Sequence, residues 1–158
     1  MSTEQTTKTP RVVIITGISG AGRRTAAHAV EDLGWYVVDN LPPAMLGALV
    51  DEIAANNIDR LAVVLDVRSR IMFDALGVAV NALDERGIDP AIVFLEASDE
   101  TIVRRQESSR RPLPLQQGGH LLDAVALERR MLSDLRAEAD LVIDTTSITA
   151  RQLAQRID

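Results

Sequence analysis

The chain has 158 residues, 46% of them hydrophobic and 25% charged, enough to bury the core of a single domain. A formal net charge of −6 argues against a general nucleic-acid binder, and the absence of cysteine excludes disulfides and thiolate metal sites. No apolar run approaches the roughly 20 residues of a membrane helix, and the polar opening MSTEQTTKTP lacks the apolar centre of a signal peptide, so residues 1–10 read as a disordered tail on a cytoplasmic protein.

Short apolar runs alternate with longer amphipathic segments. Val12 to Ile15 is a continuous apolar run, the pattern of a central strand in a parallel sheet. A glycine-rich loop follows, then a helix over Ala26 to Leu33 that Gly34 stops. Trp35 to Val38 forms a second strand ending at Asp39. Leu41, Pro42 and Pro43 make a rigid turn, with Pro43 placed to enter the first turn of a helix over Ala44 to Ala55. Leu61 to Leu65 is a third strand ending at Asp66. Phe73 to Glu85 is helical in pattern, and Gly87 and Pro90 break it. Ala91 to Leu95 is a fourth strand, after which Asp99 is placed to cap a helix running to Gln106. The stretch RRPLPLQQGGH is an irregular loop. Leu121 to Ala137 is the longest helical pattern, Leu141 to Ile143 a fifth strand ending at Asp144, and a helix from Thr149 closes the chain. Five strands alternating with helices predict an α/β fold with a five-stranded parallel sheet covered on both faces.

The stretch TGISGAGRRT has the spacing of a phosphate-binding loop, with four residues between Gly17 and Gly22 and a strand and a helix on either side. Glycines let the backbone curl so that its N–H groups point inward, and the helix N-terminus adds positive potential. Such donors do not depend on side chains, so phosphate binding survives substitution nearby. The next two positions are altered. Arg23 stands where a compact lysine usually reaches the β- and γ-phosphates, and Arg24 stands where a Ser or Thr hydroxyl usually meets Mg²⁺. Thr25 is one residue late, about 100° further round a helix. Lys8 is the only lysine and every other cation apart from histidine is arginine, so compositional bias also accounts for part of the change at Arg23. Weak Mg²⁺ binding and slow hydrolysis are expected.

Asp66 lies where ligands bind in open α/β sheets, at the carboxyl end of a strand, and can hold a metal-bound water or orient an attacking one; it can also simply cap the segment after the strand. Asp39 faces the same crevice as an acceptor-side or metal contact, or as a turn residue with Asn40 and Pro42. Arg104, Arg105, Arg110 and Arg111 cluster in an acidic chain and can stabilise phosphoryl charge as a lid; the bland alternative is a solvated helix end. His28 and His120 have no metal-spaced partners and read as surface or capping residues.

Together VVIITGISGAGRRTAAHAVEDLGWYVVDNLPP, VVLDVRSR, VFLEASDETIVRRQESSRRPLPL and ADLVIDTT resemble the N-terminal domain of the RapZ family of nucleotide-binding proteins, also called YvcJ or YhbJ, in its actinobacterial form. The resemblance covers nearly all of residues 11–158. It implies a P-loop domain, a three-layer sandwich of the nucleoside- and shikimate-kinase type, that binds ATP and GTP and hydrolyses both weakly in a regulatory role. The family's ATP loop falls on Gly17, Ile18, Ser19, Gly20, Ala21, Gly22, Arg23 and Arg24, with Thr25 beside it. Its guanine-nucleotide motif falls on Asp66, Val67, Arg68 and Ser69. Arg23 would contact the terminal phosphate, Asp66 would serve the metal or water, and Arg105, Arg110 and Arg111 would close over the phosphates. Arg23, Arg24 and Leu113, the last where the family commonly has histidine, depart from its pattern. The family's second domain, which in some members binds RNA or a sugar phosphate and regulates amino-sugar synthesis, is not represented in these residues. That domain or a regulatory protein is the expected partner, with no RNA binding and no membrane role for this domain alone. A small-molecule or nucleotide kinase and a non-hydrolysing partner-binding scaffold are the alternatives.

Overall fold

A computed structural model describes residues 9–18, 20–67, 69–109 and 121–157. The strands are β1 (Arg11–Gly17), β2 (Tyr36–Asp39), β3 (Arg60–Val64), β4 (Ala91–Glu96) and β5 (Leu141–Asp144). The helices are α1 (Arg23–Asp32), α2 (Leu46–Ala55), α3 (Arg70–Glu85), α4 (Asp99–Ser109), α5 (Leu121–Met131), α6 (Ser133–Glu138) and α7 (Ala150–Ile157). A 3-10 turn, Pro43–Met45, leads into α2 with Pro43 at its start, where a missing N–H costs nothing.

The five strands form one parallel sheet in the order β2-β3-β1-β4-β5. β1 is central, with Ile14 level with Val63 on one side and Ile92 on the other. Its side chains are buried from Val12 to Ile15, which is why this strand reads as an unbroken apolar run. The chain moves from β1 leftward to β2, then rightward through every later strand. Right-handed crossovers therefore put α1 on one face and α2 to α6 on the other. The packing agrees: α1 rests against α7, and α2 against α3. Phe94, Leu95, Leu61 and Ile143 fill the centre.

Several helix boundaries differ from the sequence pattern for local reasons. α3 starts at Arg70, three residues before the expected Phe73, because the Ser69 hydroxyl accepts from the Met72 N–H at 3.2 Å and caps the helix. Ser98, not Asp99, caps α4: its hydroxyl accepts from the Thr101 N–H at 3.2 Å, while Asp99 sits in the first turn and pairs with Arg129 at 2.7 Å. The segment expected as one long helix from Leu121 is split at Leu132, which turns into the core with φ −97° and ψ 3°. At 16 residues, α3 is instead the longest described helix. No described helix is long and apolar enough to cross a membrane.

Candidate phosphate-binding site

β1 ends at Gly17, where φ is +147°. A Cβ added there would overlap the Leu95 backbone, with the Leu95 amide nitrogen only 2.8 Å away. Gly17 thus lets β1 and β4 run together at the sheet's carboxyl edge, and the Ile18 N–H extends that contact to the Leu95 carbonyl at 3.1 Å. Ile18 buries its side chain in the core, so the loop is anchored from below. The Ala21 N–H closes a turn onto the Ile18 carbonyl at 3.0 Å. Gly22 then takes left-handed angles, φ 102° and ψ 25°, as the residue preceding α1. Space is not its constraint, since its nearest foreign atom would lie 3.9 Å from a Cβ; the backbone conformation is.

The N-cap of α1 is Gly22, which has no side chain to cap the helix, and the first turn carries no acid. The first-turn N–H groups and the helix dipole are therefore left to an anion from outside. Across the mouth, Arg23 reaches the end of β3. Its Nη1 lies 2.8 Å from Asp66 Oδ1, with the two side chains 18% and 19% exposed, and 3.5 Å from the Leu65 carbonyl. The pair that the sequence assigned to phosphate and metal is thus joined. Arg24 and Thr25 are exposed on the first turn of α1, and Thr25 with His28 borders a groove of about 550 Å³ between α1 and α7.

The other flank of the loop is fixed by residues from α4 and from the end of β5. Thr145 is buried, and its hydroxyl donates to the Ala21 carbonyl at 2.6 Å. Arg105, from α4, donates through Nη1 to the Gly20 carbonyl at 2.9 Å and to Thr145 Oγ1 at 3.1 Å, and through Nη2 to the Thr145 carbonyl at 2.9 Å. Of the arginine cluster expected as a lid, Arg104 and Arg105 are described: Arg104 is exposed on α4, and Arg105 holds the loop's own backbone. Arg110 and Arg111 lie outside the described residues, as do Ser19, Arg68, Leu113 and His120. Val67 is buried and Ser69 serves as the α3 cap, while Asp39 stands exposed at the end of β2.

Sequence reasoning missed Thr145. The only signal was a hydroxyl residue just after a strand at the carboxyl edge. Its neighbour Asp144 is held below the usual carboxylate range by hydrogen bonds from Thr146, through its hydroxyl and its N–H, the latter at 2.9 Å, with smaller help from Arg129 and Arg105. Among the described residues no group of three or more metal-ligating side chains gathers. Asp66, paired with Arg23 of the first turn of α1, offers one carboxylate of hard oxygen donors.

A profile of the RapZ-like N-terminal domain matches residues 11–158. A nucleotide-binding protein of Streptomyces coelicolor is 53% identical over 151 residues, which is 94% of this chain and 50% of that protein. A nucleotide-binding protein of Saccharopolyspora erythraea is 51% identical over 160 residues, 100% of this chain and 54% of its own length. The chain thus spans about half the length of these relatives. Among solved structures, shikimate kinase from Acinetobacter baumannii in complex with shikimate aligns at TM-score 0.65 and 18% identity, covering 95% of this chain and 92% of that one. The Mycobacterium tuberculosis APS kinase in complex with AMPPNP and APS aligns at TM-score 0.56 and 17% identity, over 95% and 96%. These likenesses give the fold, that of the P-loop kinases. With a matching profile over all but its first ten residues and relatives near half identity, the chain belongs to the RapZ-like N-terminal domain family.

Proposed function

We propose that this domain binds a nucleoside triphosphate, ATP or GTP, and turns it over slowly if at all. The observation that carries the reading is the loop itself: positive-φ glycines at 17, 20 and 22 leading into an uncapped helix N-terminus. The nest of backbone N–H groups takes the β-phosphate. Arg23, beside the mouth, takes charge from the terminal phosphate when it swings from Asp66. The names of the Streptomyces and Saccharopolyspora relatives support the ligand class.

Slow turnover follows from the donor set. Mg²⁺ usually keeps several waters and binds through one or two carboxylates plus phosphate oxygens. Asp66 fits that role and would hold the ion through water; a bound ion would neutralise charge on the phosphates. Arg24 offers no hydroxyl, and Arg23 competes for the same carboxylate. Transition-state charge is therefore poorly met while ground-state binding is kept. On this reading the nucleotide state is a signal, passed to the half that the longer relatives carry or to a regulatory protein. The experiment is calorimetric titration of the chain with ATP, GTP and non-hydrolysable analogues, with and without Mg²⁺, alongside phosphate release. Binding that Gly22→Val abolishes, with little release, supports the proposal. Absence of binding under every condition overturns it.

A second reading is phosphoryl transfer to a small acceptor. Asp39, exposed at the carboxyl end of an edge strand, is its one structural support. Transfer to an added alcohol above the hydrolysis background would favour it.

A further inference from the structure

α3 has two faces. One covers the sheet with the buried Leu76 and Leu83, backed by the partly buried Met72, Phe73 and Val80. The other points to solvent and is apolar: Ile71 is 81% exposed and Val78 71%. Ala75 and Ala82 lie between and beyond them, half-buried and exposed. At about 100° per residue these four side chains fall within roughly 60° of arc. Their 4-3-4 spacing is that of a coiled-coil seam, on a face where a solvated helix normally carries charge. Met45, 54% exposed, sits on the turn that packs against α3.

We propose that this stripe is a homotypic docking surface, on which α3 of a second copy of the chain packs antiparallel. The sequence of the stripe is self-complementary in that arrangement. Ile71 meets Ala82 of the second copy and Ala75 meets Val78, so each large side chain faces a small one. The flank is complementary as well. Arg70, Asp74, Asn81 and Glu85 line one side of the seam, and nearly the same register sets Arg70 against Glu85 and Asp74 against Asn81. Arg70 already pairs with Asp134 at 2.9 Å and Asp74 at 3.3 Å, but its guanidinium is exposed and has five donors to share. Parallel packing would set Ile71 on Ile71 and Ala75 on Ala75, large on large and small on small, and would carry the two charged flanks to opposite sides of the seam, where Arg70 and Glu85 do not meet. One helix pair about 24 Å long buries less than a standard interface, so the dimer is weak and reversible.

Sedimentation velocity on the chain, from low micromolar to several hundred micromolar, tests this. The expected result is a mass average that climbs towards the dimer for the wild type and stays monomeric for Ile71→Glu/Val78→Glu. Both positions are exposed, so that variant keeps its circular dichroism and thermal unfolding. Arg70→Glu or Glu85→Arg alone weakens association about three- to tenfold, and the two together restore it. Because the chain has no cysteine, Ala75→Cys/Val78→Cys gives disulfide-linked dimers on oxidation, and Glu52→Cys on α2 does not. A wild type that stays monomeric throughout overturns the proposal and leaves the stripe to a different partner. Association that ignores the glutamates, or charge swaps that fail to compensate, overturn it equally.

Discussion

The ion pair between Arg23 and Asp66 joins residues 43 apart and sits where phosphate chemistry is expected, so its strength bears on both fold and site. At 2.8 Å with an effective dielectric near 20, the bare attraction is about 6 kcal/mol. Desolvating two side chains that keep only 18% and 19% of their exposure returns most of that. A net coupling of about 1.5–3 kcal/mol remains, the range for a hydrogen bond to a charged group. Asp66 has further interactions of its own, so Asp66→Ala alone overstates the pair. A double-mutant cycle removes that excess: urea unfolding of wild type, Arg23→Ala, Asp66→Ala and the double variant. The double variant should be more stable than the sum of the singles predicts by the coupling energy. Repeating the cycle with a saturating non-hydrolysable nucleotide should shrink the term, because the terminal phosphate competes with Asp66 for the guanidinium. Additivity within about 0.3 kcal/mol in the free protein would refute the reasoning, since the geometry would then carry no energy.

Gly17→Ala should cost at least about 3 kcal/mol, read from the urea midpoint, because the new Cβ meets the Leu95 backbone and the φ of +147° is strained for any side chain. Thr145→Val removes the hydroxyl that bonds the Ala21 carbonyl and should cost about 1–2 kcal/mol, with faster amide exchange through residues 20–22 as a local signature. Arg24→Ser restores a hydroxyl at an exposed position and should raise Mg²⁺-dependent phosphate release about tenfold or more over wild type. Asp144 has a depressed carboxyl pKa, so its contribution to stability is complete above the unfolded value and is lost as pH falls through the folded one. The melting-temperature gap between wild type and Asp144→Asn should therefore be steady near neutrality and close as pH drops below about 4. A gap that widens in acid would contradict the assignment.

Local pattern exposed the scaffold well. The Val12 to Ile15 run is buried on both faces, and it is the central strand. The acids that end β2 and β5 and follow β3, and the glycine spacing after β1, marked the carboxyl edge of the sheet without any knowledge of strand order. Pairings decided by tertiary register were not legible. Arg105 meets Gly20 across 85 positions and Thr145 meets Ala21 across 124, and neither pairing leaves a periodic trace. Caps failed for a subtler reason. Ser98 and Asp99 are both good capping residues, and the choice fell to Ser98 because Asp99 is engaged by Arg129. The break at Leu132 was hidden because an apolar residue at helical spacing fits either a continuous helix or a bridge-region turn that keeps it buried.

The two flanks of the loop together explain why the arginine-for-lysine change need not destroy the site. On the β5 side, Thr145 and Arg105 hold the carbonyls of Gly20 and Ala21, turning those oxygens away from any anion. On the β3 side, Arg23 is held by Asp66 and leans on the Leu65 carbonyl. The curl of the backbone is thus fixed by bonds to carbonyls and by glycine conformations, not by the side chain at position 23. Ground-state phosphate binding draws on that fixed curl. Turnover draws instead on charge delivered at the terminal phosphate, and here the cation and the carboxylate that would deliver it neutralise each other until something separates them. On the proposed reading, a domain built this way would hold a nucleotide at little reorganisation cost, and a terminal phosphate that draws Arg23 from Asp66 only in part would leave its full release to an outside event such as contact with a partner. A partner fragment that raises phosphate release while Arg23→Ala stays unresponsive would establish that order of events.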